Sequence, residues 1–387
     1  IIFVGSGGSF SACHFAYATL ISKGTIAYCF TPLQLFENKA LAKGSHVVVL
    51  SASGNNNDTL SVIKYCFQEE VSKVSAFVLS DRSKIKKLYQ DDNRLNIIQF
   101  KLPQGKDGFL ATNSLLAFIL LLFKASQGSS MMFEDLDFNT TALAQKIDNF
   151  FNGFTELNTL SVIHSDWFTP VALDIESKFS EAALGNILLS DWRNFAHGRH
   201  HWFDKRNGDT GLIALISPNI KSIAEKTLNL LPDKVRVLKL YSPFNDSRTS
   251  IEGLMMAFHL VHARGMSISI DPGKPGVPDF GSKIYNLNYQ RLLLDNKLSK
   301  PDLYISRKLP IDQDNNLFIK ESWIENYRKF HSSLKSVSYH SVVFDYDDTL
   351  CGSKLRDRFR IGLDDRISGP LNDLLSKGIK IGVATGR

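Results

Sequence analysis

The feature that most constrains this chain is a rhythm in which short apolar segments of strand length alternate with longer stretches of helical period. Ile1–Val4, Val47–Ser51, Ser75–Ser80 and Ile97–Phe100 are separated by helical patterns such as Ser11–Ser22 and Thr59–Glu70, and helix Asn113–Lys124 closes the series. Strands joined through helices in this way belong to a parallel sheet covered on both faces. The rhythm resumes with strand Leu160–His164, helix Val171–Leu184, strand Gly211–Ser217, helix Lys221–Leu230, strand Val235–Leu240 and helix Ile251–Ala263. The expected fold class is α/β, with two doubly wound parallel-sheet units at 1–140 and 141–285 and the polar stretch Ser126–Thr141 between them. Residues 286–340 mix charge and aromatics without clear period and are expected to form a connector with some helix. Strand Ser341–Phe344 then opens a third unit at 341–387.

Length and charge narrow the function classes. A chain of 387 residues exceeds what one hydrophobic core serves, so two or three domains are expected. The net charge of +6 is spread over 45 basic and 39 acidic residues, and the densest basic run, Lys84–Lys87, is short. That argues against a nucleic-acid partner. Leu115–Phe123 is about half the length of a membrane-crossing helix and is expected to be a buried helix, with no membrane partner. Cys13, Cys29, Cys66 and Cys351 lie far apart without a CxxC pair, which suits a reducing compartment and a cytoplasmic protein. Ile1–Val4 starts as a buried strand and Val383–Arg387 stops as abruptly, so the chain is expected to be a piece of a longer one.

Two loops rich in glycine and serine follow successive strands: Gly5-Ser6-Gly7-Gly8-Ser9, and Ser51 to Asn57 running into Asp58-Thr59. In open α/β sheets ligands bind beyond the carboxyl ends of strands. Glycines let the backbone approach an anion, while free N–H groups, hydroxyls and helix N-termini donate to it, so a phosphate is the expected ligand. A dinucleotide suits the loops less well, because GSGGSF lacks the GxGxxG spacing and no acidic residue closes the second strand.

These residues resemble the sugar-isomerase (SIS) fold, and in particular the tandem SIS arrangement of the isomerase half of glucosamine-6-phosphate synthases. The family's GCGTSY loop is similar to Gly5–Phe10, its SQSGETADT loop to Ser51–Thr59, and its GVASTK stretch to Gly108–Ser114. The resemblance implies that Ser9, Ser51, Ser53 and Asn56, with Thr112 as a weaker contact, hold the phosphate of a phosphorylated sugar or amino sugar. Ala52 stands where the family has glutamine and Asn56 where it has threonine, which leaves the sugar itself open.

Isomerisation of such a sugar needs a base to carry a proton between carbons and a group to open the ring. Lys178 and Glu181 share a helical face, and His197 follows sixteen residues after Glu181, the separation of base and ring-opening histidine in the family. By resemblance Glu181 is the base and His197 the ring-opening group, delivered from a neighbouring subunit, which implies a homodimer. Lys283 is loosely similar to a family lysine that forms a Schiff base with a ketose. A Lys178–Glu181 ion pair with a loop histidine is the structural alternative. His197, His200 and His201 lie close together but lack a recognised set of further metal ligands.

Asp345-Tyr346-Asp347-Asp348-Thr349 follows an apolar strand, and Val383-Ala384-Thr385-Gly386-Arg387 follows another. The pair resembles the first two motifs of haloacid-dehalogenase (HAD) phosphatases, and implies the N-terminal part of a Rossmann-like HAD domain. In that family Asp345 would be nucleophile and Asp347 acid/base, Thr385 would bind the phosphoryl group, and Mg²⁺ would sit on the Asp345 carboxylate and the Asp347 carbonyl. The SIS units imply no cofactor. The expected protein is a sugar-phosphate isomerase, deaminase or deglycase fused to a phosphatase whose later motifs lie beyond Arg387. The alternative is a non-catalytic sugar-phosphate sensor regulating that phosphatase.

Overall fold

In the computed structural model the described residues are 1–69, 71–102, 107–127, 141–152, 157–287, 317–346, 349–350, 363 and 365–384. They fall into two units, 1–293 and 294–387. The first unit holds two sheets. Strands β1 (Ile2–Val4), β2 (Tyr28–Phe30), β3 (His46–Ser51), β4 (Lys73–Val78) and β5 (Leu95–Gln99) form a parallel sheet in the order β2-β1-β3-β4-β5. Strands β6 (Thr159–His164), β7 (Asn186–Asp191), β8 (Thr210–Ile216) and β9 (Arg236–Tyr241) form another in the order β7-β6-β8-β9. Each sheet starts inside and reverses its winding once, between β1 and β3 and between β6 and β8. That reversal opens a crevice at the carboxyl ends of the strands.

The helices of the first half are α1 (Gly8–Ile21), α2 (Pro32–Glu37), α3 (Lys39–Ala42), α4 (Asn57–Gln68), α5 (Lys84–Tyr89) and α6 (Asn113–Gln127). Those of the second are α7 (Thr141–Phe151), α8 (Thr169–Glu181), α9 (Trp192–Ala196), α10 (Trp202–Arg206), α11 (Lys221–Leu228), α12 (Arg248–Ser267) and α13 (Asp279–Tyr285). The pleat of β3 divides its side chains between two cores. Val47 and Val49 join Ile2 and Val4 against Val62, Ile63 and Cys66 of α4. Val48 and Leu50 join Phe3 on the opposite face, against Phe15 of α1 and Phe118 of α6.

This second core does not stop at the first sheet. It continues without a break into Phe168 and into Val171 and Phe179 of α8 and Leu254 and Leu260 of α12, so one apolar mass lies between the two sheets. The apolar run Leu115–Phe123 sits within it, with Leu115, Phe118, Ile119 and Phe123 buried on α6. Among the described residues no helix is long and apolar enough to cross a membrane.

Two strands were not anticipated, β2 and β7. Both are edge strands and less buried than the central ones: β2 is three residues long with no buried residue, and Ile187, Leu188 and Leu189 of β7 are only half-buried. Helix α7 begins where the expected linker ends, and Ile147, Phe150 and Phe151 bury in the shared core. The second unit contains α14 (Leu317–Ser336), β10 (Ser341–Asp345), α15 (Asp365–Ser376) and β11 (Lys380–Ala384), with β10 parallel to β11 and Asp345 opposite Ala384.

Candidate functional site

The two loops predicted to grip a phosphate meet at the switch point between β1 and β3. There they line a cavity of about 510 Å³ with Ser6, Ser9, Ser51, Ser53, Asn56 and Thr59. Helices α1 and α4 start from these loops, so their N-terminal ends, which carry the positive pole of the helix dipole, lie at the cavity. In the second loop two hydroxyls are held by their own turn. Ser51 Oγ accepts from Gly54 N at 3.2 Å and from Thr59 Oγ1 at 3.4 Å, and Ser53 Oγ accepts from Asn55 N at 3.2 Å. Since these oxygens act as acceptors within the loop, their hydrogens are the groups that can be offered to an anion.

Gly54 is required here. Its φ is +62°, and a Cβ would come within 2.6 Å of Ser83 Cβ and 2.9 Å of Val78 Cγ1. Gly8, at the start of α1, lies so close to the 108–114 segment that a Cβ would meet Ala111 Cβ at 2.4 Å. Asn56 does more than face the cavity. Its Oδ1 caps α4 by accepting from Asp58 N at 2.6 Å, and its Nδ2 donates to Tyr285 Oη at 2.9 Å.

The sequence did not signal several cavity residues. Tyr285 reaches the cavity from α13, and Lys101 and Asp81 line it from the segments after β5 and β4. Asp107 occupies the N-terminus of α6: its carboxylate accepts from Asn113 N at 2.7 Å, from Ser114 N at 3.1 Å, from Thr112 Oγ1 at 3.2 Å and from Ser114 Oγ. Asp107 lies five residues before Thr112, too far from the helix start to be read as its cap from sequence.

A smaller cavity of about 230 Å³ shares Gly108 and Phe109 with the first. Thr112, Lys178, Phe258, His262 and Asp271 line it. Thr112 therefore belongs to this second cavity rather than the first. Lys178 is 2% exposed and pairs with Asp174 one turn earlier on α8, which is fully buried; the ammonium also lies 5.3 Å from the centre of the Phe258 ring. Burial drives the Asp174 carboxyl up from its ordinary 3.8 to about 6, against the pull of the Lys178 charge. Its Oδ2 has no hydrogen-bond partner. The Lys178–Glu181 pair considered from sequence is not formed, because Lys178 turns into the interior toward Asp174. Glu181 is exposed and accepts from Ser177 Oγ at 2.5 Å.

Neither cavity includes Glu181, His197 or Lys283 within this single chain. His197 is exposed at the C-terminal end of α9, and His200 interacts through Nδ1 with Phe195 O at 3.2 Å. Lys283 is exposed on α13, two residues from the Tyr285 that touches Asn56. In the second unit Asp345 ends β10 with an exposed side chain, whereas Asp347 and Thr385 lie outside the described residues.

No family model and no curated protein matches the chain. Solved structures do. A glucosamine-6-phosphate deaminase from Thermotoga maritima is similar with a TM-score of 0.57 at 16% identity, over 71% of this chain and 87% of that one. This is the fold of phosphosugar isomerases and deaminases. A tagatose-6-phosphate ketose/aldose isomerase from Escherichia coli gives a TM-score of 0.57 at 16% identity, over 72% and 84% of the two chains. The C-terminal domain of a glucosamine-fructose-6-phosphate aminotransferase from Francisella tularensis gives 0.51 at 15%, over 68% and 84%. At these identities the similarity concerns the fold alone.

Proposed function

We propose that residues 1–293 bind a phosphorylated sugar or amino sugar and interconvert it by isomerase or deaminase chemistry. The observation that carries this reading is the hydroxyl-lined cavity at the β1/β3 switch point, where the starts of α1 and α4 and the cation of Lys101 favour a phosphate. Its volume accommodates a hexose phosphate, and the structural relatives named above act on 6-phosphorylated sugars. The adjoining cavity, with Lys178 and Asp174 beneath it, is the place for the reacting carbons. The family resemblance assigns the proton-carrying base to Glu181, which lines neither cavity in the single chain, and ring opening to His197 of a second copy of the chain. The exposure of His197 agrees with delivery between chains.

Thermal shift with glucose 6-phosphate, fructose 6-phosphate and glucosamine 6-phosphate tests binding, since a ligand at a hundred times its Kd adds about 2.7 kcal/mol of stability. Exchange of the C2 hydrogen in deuterated water tests chemistry. The reading expects exchange with at least one of these sugars and its loss in Glu181→Gln. Protection without exchange in the unsubstituted chain favours the alternative, a sugar-phosphate sensor, to which the exposed position of Glu181 lends support. Absence of protection by any of the three removes both.

For the second unit, the reading is the beginning of a HAD-type phosphatase. It is favoured by the parallel pairing that sets Asp345 opposite Ala384, the residue before Thr385. The exposed Asp345 carboxylate is a hard oxygen donor of the kind Mg²⁺ takes, and with the Asp347 carbonyl it would hold that ion to offset phosphoryl charge. Hydrolysis of p-nitrophenyl phosphate, lost in Asp345→Asn, is the corresponding assay.

A further inference from the structure

The smaller cavity holds an imidazole of this same chain that the reading above does not use. His262 lies on α12 four residues after Phe258, so the two side chains share the face of the helix that lines the cavity. The Lys178 ammonium stands over the Phe258 ring, one turn from His262. Asp271 lines the same cavity from the turn after α12, with its Oδ1 accepting from Gly273 N at 2.8 Å. Among the described residues no hydrogen bond or ion pair engages the His262 ring. The cavity is also tied to the anion loops. Phe109 N donates to Gly273 O at 3.4 Å, and Ala111 meets Gly8 of α1 too closely for a Cβ there. The 108–111 segment thereby joins the wall of the second cavity to the loop that carries Ser9, and Gly108 and Phe109 line both cavities.

The geometry points to His262, supplied within the same chain, as the group that opens the sugar ring, an inference that rests on the sugar-phosphate reading above. Ring opening needs a group that both takes and gives a proton near neutrality. Of the other titratable side chains lining the two cavities, Asp107 is committed to the N-terminus of α6 and Lys178 to Asp174, while Asp81, Lys101 and Tyr285 stand with the anion loops in the first cavity. Asp271 and His262 remain, and an imidazole performs both halves of such a transfer at neutral pH. The His262 ring takes the proton of the C1 hydroxyl. The C1–O5 bond then breaks, its electron pair passing to O5 as the C1–O1 double bond forms, and the imidazolium returns its proton to O5. One proton leaves the sugar and one comes back, so the step needs no further reactant. The Lys178 ammonium lines the same cavity and offsets the negative charge that develops on these oxygens. Each chain opens the ring by itself, without His197 of a second copy.

The anomers of a hexose phosphate interconvert only through the open chain, so their exchange, followed by NMR magnetisation transfer, reads this step apart from exchange at C2. The test uses the full chain with whichever of glucose 6-phosphate, fructose 6-phosphate and glucosamine 6-phosphate protects it from heat. The unsubstituted chain is expected to accelerate anomer exchange, and less so as pH falls from about 8 to 5 and the imidazole takes up its proton. His262→Gln is expected to lower the acceleration about a hundredfold or more and to abolish that pH dependence, while the sugar phosphate still protects. Because His262 is exposed on α12, the variant is expected to melt like the parent without ligand. Acceleration intact in a protected His262→Gln overturns the proposal and leaves the binding reading standing. Acceleration lost in His197→Ala but kept in His262→Gln overturns it in favour of delivery from a second copy. Protection of the unsubstituted chain without acceleration overturns it in favour of a sensor, and absence of protection by all three sugars overturns the proposal and the reading together.

Discussion

Replacing Lys178 with methionine removes the cation facing Asp174 while keeping a chain of similar length against Phe258. Asp174 is fully buried, and its carboxyl stands at about 6 instead of 3.8. A carboxyl raised in the folded state favours folding at low pH and withdraws that support as pH rises from the unfolded value through the folded one. In the unsubstituted chain the withdrawal is about 3 kcal/mol and ends near pH 6, because Asp174 then ionises in place beside Lys178. Without Lys178 ionisation in place is far harder, so the carboxyl stays protonated in the fold and the withdrawal continues at roughly 1.4 kcal/mol per pH unit. By pH 8 the variant should have lost about 3 kcal/mol more than the parent from this cause alone. His164 is half-buried and held down to about 4 by desolvation, so it destabilises the fold as pH falls below its ordinary 6.5. That effect is common to parent and variant and cancels in their difference. Urea unfolding at pH 6.5, 7.25 and 8 should show Lys178→Met losing stability relative to the parent by roughly 1.4 kcal/mol per pH unit, and no such relative loss when Asp174→Asn is combined with Lys178→Met. Parallel pH slopes for parent and Lys178→Met would refute the reasoning.

Other substitutions probe the loops. Gly54→Ala combines a left-handed backbone with a clash against Ser83 and Val78, and should lower stability by about 2–4 kcal/mol in urea unfolding. Ser53→Ala removes an exposed hydroxyl and should weaken binding of glucose 6-phosphate roughly tenfold or more by calorimetry, with little change in melting temperature. Ser51→Ala should weaken binding similarly but also cost about 1 kcal/mol of stability, since the buried Ser51 Oγ accepts from Gly54 N. Tyr285→Phe should speed ligand release in stopped-flow measurements, because the Asn56 amide loses the hydroxyl that pins α13 to the loop.

The order of the central elements was legible because β1, β3, β6 and β8 are flanked on both sides and so are apolar on both faces. The edge strands β2, only three residues long, and β7, closed off by Asn186 and Asp191, were missed, although the edges β5 and β9 were not. The loop residues Ser9, Ser51, Ser53 and Asn56 were legible through their glycine-rich context, and they line one cavity. Lys101, Asp107 and Tyr285 were not, since nothing local marks a side chain that reaches the cavity from a distant segment. The partner of Lys178 was also hidden: Asp174 and Glu181 both lie within one helical turn of it, and only the direction of burial chooses between them.

The apolar mass that α1 and α6 share with α8 and α12 has a bearing on how the molecule comes apart. Neither sheet possesses that face of its core alone, so a chain cut near residue 140 would present Phe15, Phe118 and Ile119 to water. The two halves are accordingly one cooperative folding unit. Calorimetry of residues 1–293 should give a single endotherm, and either half produced alone should aggregate unless the other is supplied during refolding.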